Sequence, residues 1–511
     1  MPRVDGLALW QLVERRADAT PDALMFEDDD GRTITFGAFR DEATRVAAGV
    51  AGLGAGPDDT VSWLLPTRID AFLLAAALAR LGAVQNPLLP IYRERELRFI
   101  VGQAQPRLVV TLGSVRGVDY EAMVRDATRD TGADVFVVDD GGLPIGDPST
   151  LPPLPEVLEP DAQPVRWLFY TSGTTADPKG VRHADAGVIA AARAIVDTIE
   201  IDERDRHAVV FPVAHLGGPL WLVAGLMTGL GQLLVPAFDP QTTIPRLRDF
   251  GVTLAGAGTA FHLMYLEAQR ARRDVPLFPA VRAFPGGAAP KPAGLHETMK
   301  RELGGVGIVS SYGLTEAPII AACTVHDPDE KLASTEGRAT AGVAFRVVGD
   351  DGKDVTAGEE GELRVRGPQL FRGYVNASLD RDAFDDEGWF RTGDLARLDD
   401  GYVTITGRLK DVIIRKGENI SASEVEDALF AHPLVRDTAV VGLPDERSGE
   451  RVCAVVVTDA GSALTLDDVT AFLSERGLMR QKLPEQLEQV DELPRNSMGK
   501  VLKQDLRKRF G

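Results

Sequence analysis

The chain's 511 residues are too many for one ordinary domain, and a composition 44% hydrophobic and 26% charged is that of a soluble globular protein with a large core. A formal net charge of −20 argues against nucleic acid, whose binders carry a basic stripe, but leaves small anionic ligands open. Two cysteines, Cys323 and Cys453, make no disulfide framework and lack metal-ligand spacing. With a start that has no signal-peptide pattern, they predict a cytoplasmic chain.

A helix is expected around Leu9–Arg16, then a hairpin of Leu24–Glu27 and Thr33–Phe36 turned by Asp28-Asp29-Asp30-Gly31. A helix from about Gly37 to Leu53 precedes a strand at Val61–Leu65, helices at Asp70–Leu81 and Glu94–Gly102, and a strand at Leu108–Thr111. This alternation predicts a mostly parallel sheet covered by helices. Gly52-Leu53-Gly54-Ala55-Gly56 has the look of a dinucleotide loop, but a strand follows it, so it reads as a helix-ending turn. Gly141 to Pro164, rich in proline and acidic residues, reads as an exposed connector, and the strand Val165–Tyr170 runs from it into a Gly/Thr-rich loop.

Leu216 to Phe238 carries no charge and is long enough to cross a bilayer. Five glycines and two prolines interrupt it, favouring a buried helix, a turn at Gly229-Leu230-Gly231 and a buried strand, Gln232–Val235; no integral membrane association is expected. Short strands from Phe345 to Ile405 predict a β-rich subdomain. After Gly407 the pattern becomes that of a compact α+β unit. There Ser423-Glu424-Val425-Glu426 reads as a capping box opening a helix with Val425 and Leu429 on one face.

The strongest chemical signal is Tyr170-Thr171-Ser172-Gly173-Thr174-Thr175-Ala176-Asp177-Pro178-Lys179-Gly180. Glycine lets backbone approach a phosphate, hydroxyls donate hydrogen bonds and a lysine adds positive charge. A P-loop needs glycine before its lysine and Ser/Thr after it, and here Pro178 and Gly180 stand there. A polar surface loop is the bland rival. The segment resembles the phosphate-binding signature of the adenylate-forming superfamily: acyl-coenzyme A synthetases, peptide-synthetase adenylation domains and luciferases. Ala176 stands where that family usually has glycine, which predicts altered loop flexibility rather than lost binding.

Further motifs of that family follow in order. Phe284-Pro285-Gly286-Gly287-Ala288 is similar to the segment against adenine, and Ser311-Tyr312-Gly313-Leu314-Thr315-Glu316 to the next signature. The resemblance implies that Tyr312 stacks on adenine beside Gly313, Thr315 contacts phosphate and Glu316 helps hold Mg²⁺. An aromatic face suits a purine, and a hard carboxylate suits magnesium. Thr392-Gly393-Asp394 matches the motif whose aspartate accepts from the ribose hydroxyls. Gly407-Arg408-Leu409-Lys410-Asp411 looks like the inter-domain hinge, with Arg408 reaching ribose or phosphate and Lys410 the pivot. Arg415-Lys416-Gly417-Glu418-Asn419-Ile420 resembles the loop that approaches coenzyme A, and Asn496-Ser497-Met498-Gly499-Lys500 carries the expected catalytic lysine, Lys500.

The fold implied is α/β: a large N-terminal domain, residues 1–407, of two α/β subdomains plus a β-barrel-like subdomain, and a small mobile α+β C-terminal domain, residues 408–511. The activity implied is attack of a carboxylate on MgATP giving acyl-AMP, then transfer to coenzyme A. Transfer to a carrier protein or a nitrogen nucleophile is the runner-up, and a non-catalytic nucleotide-binding protein the remote alternative. The resemblance is compatible with a homodimer.

Phe211-Pro212-Val213-Ala214-His215-Leu216-Gly217-Gly218 corresponds to the segment lining the acyl site. Amino-acid-activating relatives place an aspartate where this chain has Pro212, so a substrate ammonium would be buried unpaired and an uncharged organic acid is favoured. His215 matches a residue bordering the carboxylate and the pantetheine tunnel; a hydrogen-bonded core histidine is its alternative. His215, Leu216, Gly217 and Gly218, with the apolar Leu220–Leu226, suggest a pocket for aliphatic, alicyclic or aromatic acids.

Overall fold

The structure, a computed structural model, describes residues 3–511 apart from 140, 172–177, 273–274, 288–290, 293, 416–417, 446–447, 460–461 and 497–498. The first helix covers Leu9–Ala19, and the hairpin is Leu24–Asp28 against Thr33–Thr35, antiparallel. Thr35 caps the next helix, Phe36–Gly52, by accepting from Ala38 N. The Gly52–Gly56 stretch is the expected turn, with Gly54 at φ 86°.

Three large sheets and a two-stranded ribbon, Ser114–Val115 against Val118–Asp119, build the large domain among the described residues. One runs in the order Lys179–His183, Trp167–Thr171, Val84–Pro87, Thr60–Leu64, Leu108–Leu112, Asp134–Val138. It is parallel except at the antiparallel Lys179–His183 edge. Its inner strands are largely buried, and their buried polar residues are bonded: Gln85 Nε2 donates to Ala75 O at 3.0 Å and Asn86 Nδ2 to Ser62 Oγ at 2.8 Å. A second has the order Arg206–Val209, Gly231–Leu234, Leu24–Asp28, Thr33–Thr35. The charge-free stretch therefore lies inside the protein: a helix, Gly217–Thr228, stops at Gly229, whose φ of 83° suits a C-terminal glycine, and a strand, Gly231–Leu234, follows. No helix among the described residues is long and apolar enough to cross a membrane.

The third sheet has eight strands, from Phe284–Gly286 and Ile308–Tyr312 through Ala321–Ala322, Arg338–Ala339, Tyr402–Arg408, Phe390–Asp399 and Glu360–Arg366 to Ala344–Val348. It carries the expected β-rich region and joins it to the α/β body.

The connector from Gly141 to Pro164 is exposed over most of its length, as expected, but it is anchored near its start. Leu143 is buried, Gly146 N donates to Arg45 O at 3.0 Å, and a Cβ on Gly49 would lie 2.1 Å from Pro144 O. The chain is thus seated on the Phe36–Gly52 helix, with Ile145, Leu154 and Val157 left outside.

Beyond a short turn at Leu409–Asp411, the C-terminal unit is a five-stranded sheet around the long hairpin Val435–Asp445 and Gly449–Thr458. The helices Ala422–Phe430 and Leu466–Glu475 bury Val425, Leu429, Val469 and Leu473 in one of its cores, and the last helix, Lys503–Phe510, buries Leu506 in another. Val425 and Leu429 share a face as expected, but the cap is misplaced by two residues. Ser421 Oγ accepts from Glu424 N at 3.4 Å, while the Ser423 hydroxyl donates to Thr406 O. The Ser-x-x-Glu frame beginning at Ser421 puts its glutamate at the third helical position, where a capping box needs it.

Candidate active site

Antiparallel pairing puts Lys179 opposite Thr171, so the loop between them leaves and re-enters the sheet at one place. Ser172, Gly173, Thr174 and Thr175 lie outside the described residues, as do Ala288, Lys416 and Gly417; Glu418 is described only as part of the strand Glu418–Ser421. Gly180 is required: a Cβ there would come within 2.8 Å of both the Tyr170 ring and Val375.

Pairing of Phe390–Asp399 with Tyr402–Arg408 sets Asp394 directly opposite Arg408, so two motifs far apart in the chain meet by register. Arg408 Nε lies 2.6 Å from Asp394 Oδ1, and the Tyr312 hydroxyl donates to Asp394 Oδ2 at 2.5 Å. Asp394 is 3% exposed, so these charge-assisted bonds offset its burial. Burial, and then the Asp394 charge, push the Tyr312 phenol well up, which keeps it a donor. Gly313 permits the turn after Tyr312, since a Cβ there would meet Ile319 N at 2.4 Å.

Lys500 belongs to the same group. Burial, then the charges of Arg408 and Lys410, lower its ammonium to about 8, while Asp394 acts in the opposite direction. Its loop is anchored by Lys500 N donating to Asn496 Oδ1 at 2.9 Å. Gly499, at φ 78°, is pressed against the large domain: a Cβ would lie 2.7 Å from the Ala260 Cβ. Lys410, exposed in the Leu409–Asp411 turn, is itself lowered by desolvation and by Arg408, with a smaller contribution from Lys179.

A second cluster surrounds Glu316. The buried Tyr374 hydroxyl donates to Glu316 Oε1 at 2.8 Å, Phe371 N donates to Glu316 O at 2.9 Å, and Lys179 Nζ sits 5.4 Å from the centre of the Tyr374 ring. His183, fully buried and lowered to about 4 by desolvation, is neutral and donates Nε2–H to Thr315 O at 2.7 Å. Gly286 and Gly287 lie at the end of the neighbouring strand, where Ser311 Oγ donates to Gly286 O at 3.0 Å. Sequence reasoning missed Tyr374 and His183. A period-two reading of the strand after Gly180 would have put His183 on the face of Lys179.

The acyl-site residues have a different setting. His215, half-buried, is lowered to about 4 by desolvation, and its Nδ1 accepts from Gly217 N at 3.2 Å, which leaves the proton on Nε2. The bond is within its own loop. A Cβ on Gly217 would meet the Phe211 ring at 2.8 Å, and one on Gly218 would meet Val213 O at 2.1 Å, so the paired glycines let the loop lie against its helix. Thr67, another residue the sequence did not reveal, spans Pro212: its hydroxyl donates to Phe211 O at 2.8 Å and accepts from Val213 N at 2.9 Å. Phe211 to Leu226 contains no Asp, Glu, Lys or Arg, and Leu216 and Leu220–Leu226 are buried. Cys323 and Cys453 are buried thiols pushed up to about 11 and 12, unsuited to nucleophilic chemistry.

Residues 13–375 match the family model of the AMP-binding enzymes, and residues 424–500 match that of the AMP-binding enzyme C-terminal domain. The chain belongs to the AMP-binding enzyme family. It is 32% identical to the medium-chain fatty-acid–CoA ligase of Escherichia coli, over 98% of this chain and 89% of that one. It is 30% identical to the salicyl-AMP ligase / salicyl-S-ArCP synthetase of Mycobacterium tuberculosis, over 99% and 91%. ATP-bound MatB from Rhodopseudomonas palustris superposes with a TM-score of 0.88 at 28% identity, covering 98% of this chain and 99% of that one. As an enzyme of this adenylate-forming, acyl-CoA-ligase family, the chain activates a carboxylic acid with ATP.

Proposed function

We propose that the chain converts an uncharged aliphatic, alicyclic or aromatic acid to acyl-AMP with MgATP and passes the acyl group to coenzyme A. A carboxylate oxygen attacks the α-phosphorus and pyrophosphate leaves; the thiol then attacks the acyl carbonyl and AMP leaves. Thr171, the loop 172–175 and Lys179 would neutralise the phosphates. Gly286–Ala288, Tyr312 and Gly313 would flank adenine, Asp394 would take the ribose, and Thr315 would meet phosphate. The work is positioning and electrostatic stabilisation, with no protein nucleophile.

The observation that supports this reading is that Lys500 is coupled electrostatically to the Asp394–Arg408 pair, which would put a cation close to the bound nucleotide. Among the described residues no three His, Cys, Asp or Glu side chains converge as a metal cage. A magnesium ion would rest on Glu316 and the ATP phosphates, a donor set that suits it. For the thioester step the domain from residue 408 would turn about Lys410, bringing the Lys416–Glu418 loop to the thiol.

The test is pyrophosphate release over a panel of acids, with products identified by mass spectrometry with and without coenzyme A. Acyl-CoA is expected. Acyl-AMP that accumulates with coenzyme A present, and is consumed only by a carrier protein or an amine, would replace the acceptor.

A further inference from the structure

One side chain links the residue proposed for the metal to the residue proposed for phosphate. Tyr374 is 4% exposed; its hydroxyl meets Glu316 Oε1 at 2.8 Å, and its ring carries Lys179 Nζ 5.4 Å from its centre. A short piece of backbone fixes it there. Arg372 N donates to Arg182 O at 2.7 Å, Arg182 N to Gly373 O at 3.1 Å, and Val375 N to Gly180 O at 2.8 Å, so the segment is tied to the strand that leaves the phosphate loop. Tyr374 N donates to Asp380 Oδ1 at 2.7 Å. From the other side, Phe371 N holds Glu316 O. Gly373, at φ 83°, makes the sharp approach possible: a Cβ would come within 2.7 Å of Asp380 Oδ2 and 2.9 Å of Arg182.

A carboxylate on a glutamate turns easily about its last torsion, and a donor on one oxygen fixes its plane and directs the other. We propose that Tyr374 is a positioning residue: its hydroxyl orients the Glu316 carboxylate for Mg²⁺ while its ring seats the Lys179 ammonium, so that metal and phosphate ligands are set as one unit. This rests on reading the site as one for MgATP. Burial, then the Glu316 charge, hold the phenol far above its ordinary range, so it stays a donor.

The experiment measures ATP affinity by calorimetry, in EDTA and across a Mg²⁺ series, for the wild type, Tyr374→Phe, Tyr374→Leu, Glu316→Gln and the double variant Tyr374→Phe/Glu316→Gln. Tyr374→Phe keeps the ring and loses the hydroxyl. It should leave ATP affinity in EDTA within about twofold but raise the Mg²⁺ concentration for half-maximal enhancement about tenfold. In the Glu316→Gln background the same change should have little further effect on the Mg²⁺ requirement. Tyr374→Leu should also weaken ATP in EDTA, because Lys179 loses its platform.

An unchanged Mg²⁺ requirement in Tyr374→Phe, equal losses with and without Mg²⁺, full additivity with Glu316→Gln, or a Tyr374→Phe chain that does not fold would each overturn the assignment. If the wild type itself shows no Mg²⁺-dependent ATP binding, the reading of the whole site falls and takes Tyr374 with it.

Discussion

At the proposed nucleotide end, side chains from distant parts of the chain meet: sheet register sets Asp394 opposite Arg408, the Tyr312 hydroxyl donates to Asp394, and Lys500 feels the charges of both Arg408 and Asp394. At the proposed acyl end, position is set by close packing: paired glycines under Phe211 and Val213, and a helix whose residues Gly218–Thr228 are all buried. The buried Arg16 closes that helix, donating to Leu226 O at 2.8 Å and Met227 O at 2.7 Å, where a cation suits a helix C-terminus. The nucleotide end thus works through charges that titrate and can be removed singly. The acyl end works through shape, which one substitution alters only by deforming its neighbours.

The sharpest break of the charged end is Lys500→Ala, expected to reduce adenylation by about 10³-fold while sparing thioester formation from supplied acyl-AMP. Equal loss in the two half-reactions would contradict the role. Wild-type kcat/KM for ATP should fall as pH rises through about 8, because a lysine with a lowered pKa loses its charge there, and Lys500→Ala should lack this limb. Next, Lys410→Pro fixes φ at the proposed pivot and should cut thioester turnover about 10²-fold, leaving one burst of pyrophosphate per enzyme in rapid-quench runs. Near-wild-type turnover would move the hinge elsewhere.

Gly499→Ala asks whether the fit between the Lys500 loop and the large domain matters. Strain at φ 78° and the contact with Ala260 should slow adenylation about tenfold and the thioester step much less. A parallel loss in both steps would show general damage. The smallest effect concerns the acyl end, where His207 stacks on Trp221 of the apolar helix, centroids 3.5 Å apart, and is lowered to about 3 by burial. The unfolded state takes up its proton first, so the stability that neutral His207 confers is complete above about pH 6.5 and is lost as pH falls below it. His207→Phe keeps a ring there, and its unfolding free energy from urea titration should decline less steeply between pH 6.5 and 5, by about 1.4 kcal/mol per pH unit at most. Equal slopes would mean that His207 is not neutral in the fold.

Much of this was legible in the sequence because local patterns sufficed. The helix in the charge-free stretch, the Gly52–Gly56 turn and the shared face of Val425 and Leu429 follow from periodicity and glycine placement. Arg408 and Asp394 were each readable as motifs, yet their pairing depends on register between two strands. Tyr374 and Thr67 were not legible, and alternation could place His183 on the face of Lys179 but not its bond to Thr315, since each acts on a residue that only tertiary folding brings near. The anchoring of the otherwise exposed connector on Gly49 and the shift of the cap from Ser423 to Ser421 went unread for a related reason. Composition and a four-residue pattern do not report which backbone group is close enough to bond.

The proposed acyl end, which the proposed nucleotide end would serve, has no Asp, Glu, Lys or Arg from Phe211 to Leu226 to pair with a charged substrate group. The most direct measurement is single-turnover pyrophosphate release with MgATP and matched pairs of acids, such as 3-phenylpropanoate and phenylalanine, or any pair sized to the pocket. A burst is expected with the uncharged organic acid and a much weaker one with its α-amino counterpart, because Pro212 offers no carboxylate to the ammonium. A preference for the amino acid would contradict the account.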